Sequence, residues 1–402
     1  MGSGTRVPAR RLFILAFAWG LFQILFPAGF GFGTGWETVA IAKEVARTGV
    51  YGNPFHAGAS GPTAVIAPVY PLYLAALIRL FGYTRAFAGS ASLAAVLAQA
   101  LHAALLPSLS MMFFGEARAG IFAGLLSVFA FRLMPQWDAL FTACGILLFL
   151  LNTNPATWRA TASSGLAAGV LLLTNPATIL ITGPWMGYLY LRGKISLSRV
   201  AGFGAAVFLT AVPWMIRNYS ALGTFSVKDN FGMTVYASNN DCASSSLAAS
   251  SANKCYDAMH PNSSAPELHA LVQLGEARYD SVRTGDTLRW VRSHPGAFAH
   301  LTAERTLDFW FPPKGQPLYP TLVIWAATVL SVPGLVLLFY RNIPASWYMI
   351  AVGTIHPLLY YIVVSDVRYR YSLLWLSLLA AGYALSSALK WTRRGTEGVR
   401  RA

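Results

Sequence analysis

The sequence predicts an all-α polytopic membrane protein with about ten transmembrane helices, interfacial helices and a loop domain on the outer face. Aliphatic and aromatic residues fill 55% of the 402 positions and charged residues only 11%, a balance that excludes an ordinary soluble domain. The apolar residues come in long runs, among them 12–32, 91–114 and 321–340, and each reaches the roughly 20 residues that a bilayer core requires. Lys and Arg residues also gather near one set of run ends, as orientation in a membrane demands.

The first run, 12–32, lacks a convincing small-residue cleavage site and reads as a retained anchor. Segment 33–90 joins it to the second span. Within this segment, 37–47 has the helical spacing of Val39, Ile41, Ala42 and Val45, with charges at Lys43, Glu44 and Arg47. The next apolar piece, 71–80, is too short to span, and both read as helices lying at the interface. Spans follow near 90–114, 118–133, 137–152, 162–174, 176–191 and 198–216, several of them short. The longest polar stretch then forms an outer domain, 217–318. In it, 237–265 reads as loop, while 267–291 and 295–311 read as helices separated by Ser293-His294-Pro295, where proline suits a first helical turn. Three more spans, 319–340, 344–364 and 371–389, lead to a basic tail, so the chain divides into 1–216, 217–318 and 319–402. No internal repeat is evident.

With the N-terminus inside, the inner face collects fourteen basic residues, including Arg6, Arg118, Arg192, Arg341 and Lys390, opposed only by Glu116 and Glu397. The inner face is then about +12 and the outer about +3 of the formal +15. The excess of positive charge therefore reads as topology and requires no nucleic-acid partner. Cys144 lies in an apolar run, whereas Cys242 and Cys255 flank the polar loop; such a pair suits a disulfide on an oxidising face, with two free thiols as the alternative.

No nucleotide-type glycine loop, metal-spaced His/Cys cluster or His-Glu-x-x-His helix is present, and the seven scattered histidines read as structural. Charged residues at the outer ends of spans are more informative, because a charge near lipid is costly unless it serves a cavity or a partner. Glu37 stands just beyond span one, beside Gly33, Gly35 and Trp36. A carboxylate there can take a proton from an attacking hydroxyl, or it can simply complement the dipole at the start of 37–47. Arg217, Arg368, Arg370 and Arg132 lie at outer span ends, and arginine presents a planar fork matched to phosphate oxygens. Snorkelling to headgroups explains any one of them, but several on one side with a carboxylate nearby favour a phosphate site. Asp138, near the outer end of span four, is the second acid of this group.

These residues fall in a pattern that resembles bacterial family 39-like glycosyltransferases of the GT-C superfamily. The pattern runs through Trp36-Glu37-Thr38, Asn53-Pro54-Phe55, Gly61-Pro62-Thr63-Ala64 and Pro68-Val69-Tyr70-Pro71. It continues through Thr174-Asn175-Pro176, Pro213-Trp214, Arg217-Asn218-Tyr219, Asp229-Asn230, Gly275-Glu276, His294-Pro295 and Arg368-Tyr369-Arg370-Tyr371. Each piece is short, and their order along nearly the whole chain carries the likeness. The resemblance implies a GT-C fold in a bacterial inner membrane, with relatives among protein O-mannosyltransferases and lipid A aminoarabinose transferases. It further implies a polyprenyl-phosphate-linked sugar donor, a glycan, lipid or protein acceptor, and an outer-face site built on a carboxylate of the first outer loop. Glu37 is the residue that matches that carboxylate. Many relatives have an aspartate or a pair of acids there; this chain has a single glutamate, and nothing in the sequence indicates a metal, although a divalent ion is compatible with the family. The competing classes are a transporter or flippase, which would show repeat symmetry or mid-membrane ionisable residues, and a non-catalytic sugar- or peptide-binding subunit.

Overall fold

The computed structural model describes residues 3–26, 37–153, 155–313 and 318–399. Among these the chain forms helices and two isolated bridges, with no strand. In order the helices are α1 (Ser3–Leu25), α2 (Glu37–Thr48), α3 (Val69–Phe81), α4 (Arg85–Phe114), α5 (Ala117–Ala130), α6 (Ala139–Asn152), α7 (Trp158–Thr174), α8 (Ile179–Leu191) and α9 (Leu197–Leu222). Then come α10 (Phe231–Ser238), α11 (Leu247–Ala252), α12 (Cys255–Met259), α13 (Ala265–Leu274), α14 (Glu276–Ser293), α15 (Pro295–Trp310), α16 (Leu318–Tyr340), α17 (Ala345–Tyr361) and α18 (Val367–Val399). Each of the ten predicted spans corresponds to a helix, and the protein is a polytopic, all-α membrane protein.

Five helices, α1, α4, α9, α16 and α18, are long and apolar enough to cross a bilayer. The other five are shorter: α5 and α6 have 14 residues each, α7 and α17 have 17, and α8 has 13. At 1.5 Å per residue these reach roughly 20–26 Å against a hydrocarbon thickness of about 30 Å. Three of them stop short at one place. The segment before α6, the end of α7 and the segment leading into α8 meet at one cavity, where irregular backbone faces protein polar groups instead of lipid.

Small residues let the bundle close. Helix α18 is the most enclosed span, with 83% of its apolar stretch buried, whereas α1 and α9 are 22% buried and leave most of their apolar surface for lipid. A Cβ at Gly382 of α18 would collide with the carbonyl oxygen of Ala119 in α5, so the two backbones approach as small-residue membrane interfaces do. At the far end of α18, Lys390 pairs with Glu116 from the α4–α5 turn, and Ser386 donates to the same carboxylate at 3.0 Å.

Several predicted boundaries change. Helix α18 begins four residues before the predicted 371, which places Arg368 and Arg370 inside one helix. The predicted helix 267–291 breaks at Gly275, which adopts φ 77° as the C-cap of α13, a conformation that glycine takes without strain. The predicted loop 237–265 contains α11, capped by Ser246, and α12. Cys242 and Cys255 form a disulfide that anchors the start of α12. Trp36, Gly33 and Gly35 lie outside the described residues, as does the 27–32 portion of predicted span one.

Candidate active site

Helix α2 places the first acid. Its apolar face, Val39, Ile41, Ala42 and Val45, packs on Tyr70, Leu74, Ala75 and Ile78 of α3 and on Phe87 and Ala91 of α4. That packing points the first residue, Glu37, into a cavity of about 130 Å³, where it is 9% exposed. The N-terminal turn also favours a negative charge there. Asp138 enters from the start of α6, and its Oδ2 accepts from Thr142 at 2.8 Å and Asn175 at 3.0 Å. Arg368, at the start of α18, lies over the Trp137 ring at 3.7 Å with its Nε 3.6 Å from Asp366. All three predicted residues line the same cavity.

The structure adds Lys228, Tyr256 and His260, which the sequence reading did not select. Lys228 sits between α9 and α10. Burial lowers its pKa from the ordinary lysine value, Asp138 and Glu37 oppose that shift, and Arg368 adds to it. No hydrogen bond or ion pair to Lys228 occurs among the described residues, so its three donors are available to an anion. Next to this polar cavity, a groove of about 270 Å³ shares Asn175, Lys228, Asn230 and Tyr369 and continues along apolar Phe231, Leu359, Tyr360 and Val363. A charged chamber thus opens onto a greasy channel.

The other three predicted arginines lie elsewhere. Arg370 is two residues from Arg368 on one helix, and such pairs do not share a face. Its guanidinium lies 1% exposed over the Trp310 ring at 4.3 Å and donates to Ser377 at 2.5 Å. The Arg132 amide donates to the Tyr371 hydroxyl at 2.9 Å, and the residue does not line the cavity. Arg217 donates to the carbonyls of Thr63 at 2.7 Å and Tyr51 at 2.6 Å, which ties the first loop to α9.

That tie shapes the site from behind. From the same turn of α9, Trp214 donates to the Val227 carbonyl at 3.0 Å and Asn218 to that of Ser226 at 2.8 Å, and these two bonds fix the chain leading into Lys228. The Asp229 amide donates to Ala64 at 2.9 Å. Glu276 completes the knot by accepting from the Thr63 hydroxyl at 2.5 Å and the Ala64 amide at 2.6 Å. Gly61-Pro62-Thr63-Ala64, Arg217-Asn218, Asp229-Asn230 and Gly275-Glu276, scattered in sequence, therefore meet in one buried junction beneath the cavity.

The junction makes stability depend on pH. Burial pushes Glu276 up to about 7 from an ordinary 4.5, against the hydrogen bonds from Thr63 and Ala64, and burial pushes Asp229 to about 6. Between these limits the folded protein holds protons that the unfolded chain has released, so stability present at low pH is lost as pH rises through that window. Thermal unfolding in detergent should show a lower midpoint at pH 8 than at pH 5. Glu276→Gln, which stays neutral, should flatten most of that slope, and an unchanged slope would reassign the effect.

Among the described residues no group of three or more His, Cys, Asp or Glu is placed to hold a metal ion. No protein-family model and no curated protein matches the chain. Among solved structures it is similar to the archaeal oligosaccharyltransferase AglB from Archaeoglobus fulgidus, in complex with an inhibitory peptide and a dolichol-phosphate. The TM-score is 0.56 at 12% identity, over 99% of this chain and 52% of that one, so the chain spans about half the length of that transferase. It is also similar to ArnT from Cupriavidus metallidurans bound to undecaprenyl phosphate, with a TM-score of 0.40 at 14% identity, over 96% of this chain and 78% of that one. The first likeness establishes the fold.

Proposed function

We propose that this chain is a family 39-like glycosyltransferase that moves a sugar from a polyprenyl-phosphate carrier to an acceptor at the outer face of a bacterial inner membrane. The observation that carries the reading is the chamber in which Glu37 meets Lys228 and Arg368 and which opens onto an apolar groove. A lipid-phosphate sugar has these parts in the same order: a sugar, an anion and a long hydrocarbon chain. The similar oligosaccharyltransferase was solved with dolichol-phosphate, which supports a carrier of this class. The Cys242–Cys255 disulfide supports an oxidising, outer location for the domain that covers the site.

In the proposed reaction the acceptor hydroxyl gives its proton to Glu37 as its oxygen bonds to the anomeric carbon. The bond from that carbon to the phosphate oxygen breaks, and the carrier leaves as polyprenyl phosphate. Lys228 and Arg368 stabilise the charge that develops on the phosphate, which is where fixed charges contribute most. Asp138, held by Thr142 and Asn175, favours the charged form of Lys228 from across the cavity. The prenyl chain lies along Phe231, Leu359, Tyr360 and Val363. Arg217 serves by tying the first loop to α9 behind the cavity, and Arg370 has no role in this scheme.

The test is chemical. Cells lacking the protein should accumulate one lipid-linked sugar and lose one glycan modification, both readable by mass spectrometry of membrane extracts, and the purified chain should bind undecaprenyl phosphate. An unchanged lipid-linked pool together with no binding would overturn the reading.

A further inference from the structure

Helix α12 and the turn after it carry His260, buried at 3% exposure, against the cavity. The segment is clamped from both sides. Cys255, the first residue of α12, is bridged to Cys242, and the carbonyl of His260 accepts from Ser263 at 3.1 Å and Ser264 at 3.0 Å. The imidazole stacks on Tyr256 at 5.0 Å and meets the edge of Phe55 at 6.1 Å. Its Nδ1 accepts from the Asn262 amide at 3.1 Å. An accepting Nδ1 carries no proton, so in the neutral ring the proton is on Nε2. Nε2 stands 3.9 Å from Oε1 of Glu37, a separation that a catalytic contact commonly closes when substrate binds.

We propose that His260 is a positioning residue for Glu37: its Nε2–H holds Oε1 of the carboxylate and leaves Oε2 to take the acceptor's proton. The inference rests on the reading of Glu37 as the base. His260 itself takes no proton in the reaction, because Nε2 is already protonated and Nδ1 is engaged by backbone. Burial lowers the pKa of His260, and Glu37, Asp257 and Glu267 oppose that shift, which is consistent with a neutral ring near pH 7. The other titratable groups facing the pair across the cavity are Tyr70, Tyr256, Lys228, Asp138, Arg368 and Tyr369.

Two substitutions separate hydrogen-bond donation from packing. His260→Phe keeps a ring between Tyr256 and Phe55 but has no donor; His260→Gln places an amide N–H near the position of Nε2. The full-length protein in detergent, saturated with undecaprenyl phosphate, is titrated by infrared spectroscopy, and the protonated carboxyl band that vanishes in Glu37→Gln is followed. In His260→Phe the midpoint of that band should rise by about one pH unit, because the ionised form loses a hydrogen bond, and His260→Gln should restore most of it. An unchanged midpoint in His260→Phe, or an equal rise in both variants, would overturn the inference and leave His260 as packing. Neither result touches the base assignment, which fails separately if Glu37→Gln turns over normally.

Discussion

Glu37→Gln is expected to lower turnover by about 10²–10⁴-fold, the range that general-base catalysis supplies, while leaving the affinity for undecaprenyl phosphate within about twofold. The amide has the shape of the carboxylate and can still accept from His260, so the cavity wall persists, but it cannot take the acceptor's proton. Binding and chemistry separate because the proposed phosphate ligands, Lys228 and Arg368, enter from the segment before α10 and from α18, not from α2. Single-turnover transfer measures the first quantity and direct titration of undecaprenyl phosphate the second. Glu37→Asp, one methylene shorter, should recover a fraction of the rate. Normal turnover of Glu37→Gln would move the base to Asp138, whose Oδ2 is already occupied by Thr142 and Asn175.

Lys228→Met should weaken undecaprenyl-phosphate binding by about 10–100-fold. A hydrogen bond to a charged group contributes about 1.5–3 kcal/mol, and methionine keeps the length of the stem while removing every donor. The lowered pKa of Lys228 adds a direction: affinity should fall as pH rises through a range below that of ordinary lysine, because only the ammonium binds the anion. Arg217→Lys provides the contrast. Its guanidinium serves the Thr63 and Tyr51 carbonyls, so this change should lower the melting temperature far more than the intrinsic affinity of the folded fraction. If Lys228→Met bound the carrier normally while Arg217→Lys did not, the phosphate site would lie beside the α9 motif instead.

The bundle was legible because hydrophobic runs and basic flanks are local signals. Glu37, Asp138 and Arg368 were legible for the same reason: each is a charge at the end of an apolar helix. Arg370 was misplaced because the predicted start of α18 fell after it. With the helix beginning at Val367, Arg368 and Arg370 diverge by about 200° around the axis, and one of the two must turn from the cavity. Arg217 was selected for its charge, yet backbone carbonyls more than 150 residues away in sequence occupy its donors, a demand that no local pattern reveals. Lys228, Tyr256 and His260 sit in polar loop sequence, where charged and aromatic residues are ordinary. Only the fold brings them beside Glu37. One signal was available for Lys228, since it directly precedes the Asp229-Asn230 piece of the family pattern.

The walls of the chamber arrive at very different times during synthesis. Glu37 comes from the first loop and Arg368 from the last helix, and at about 5–20 residues per second a ribosome needs on the order of tens of seconds to travel from one to the other. Until α18 slides in between α5, α6 and α16, Lys228 and Asp138 face a gap in place of the Arg368 and Trp137 stack. In the proposed scheme a nascent or truncated chain lacking α18 is therefore catalytically silent, however well its nine earlier spans are inserted.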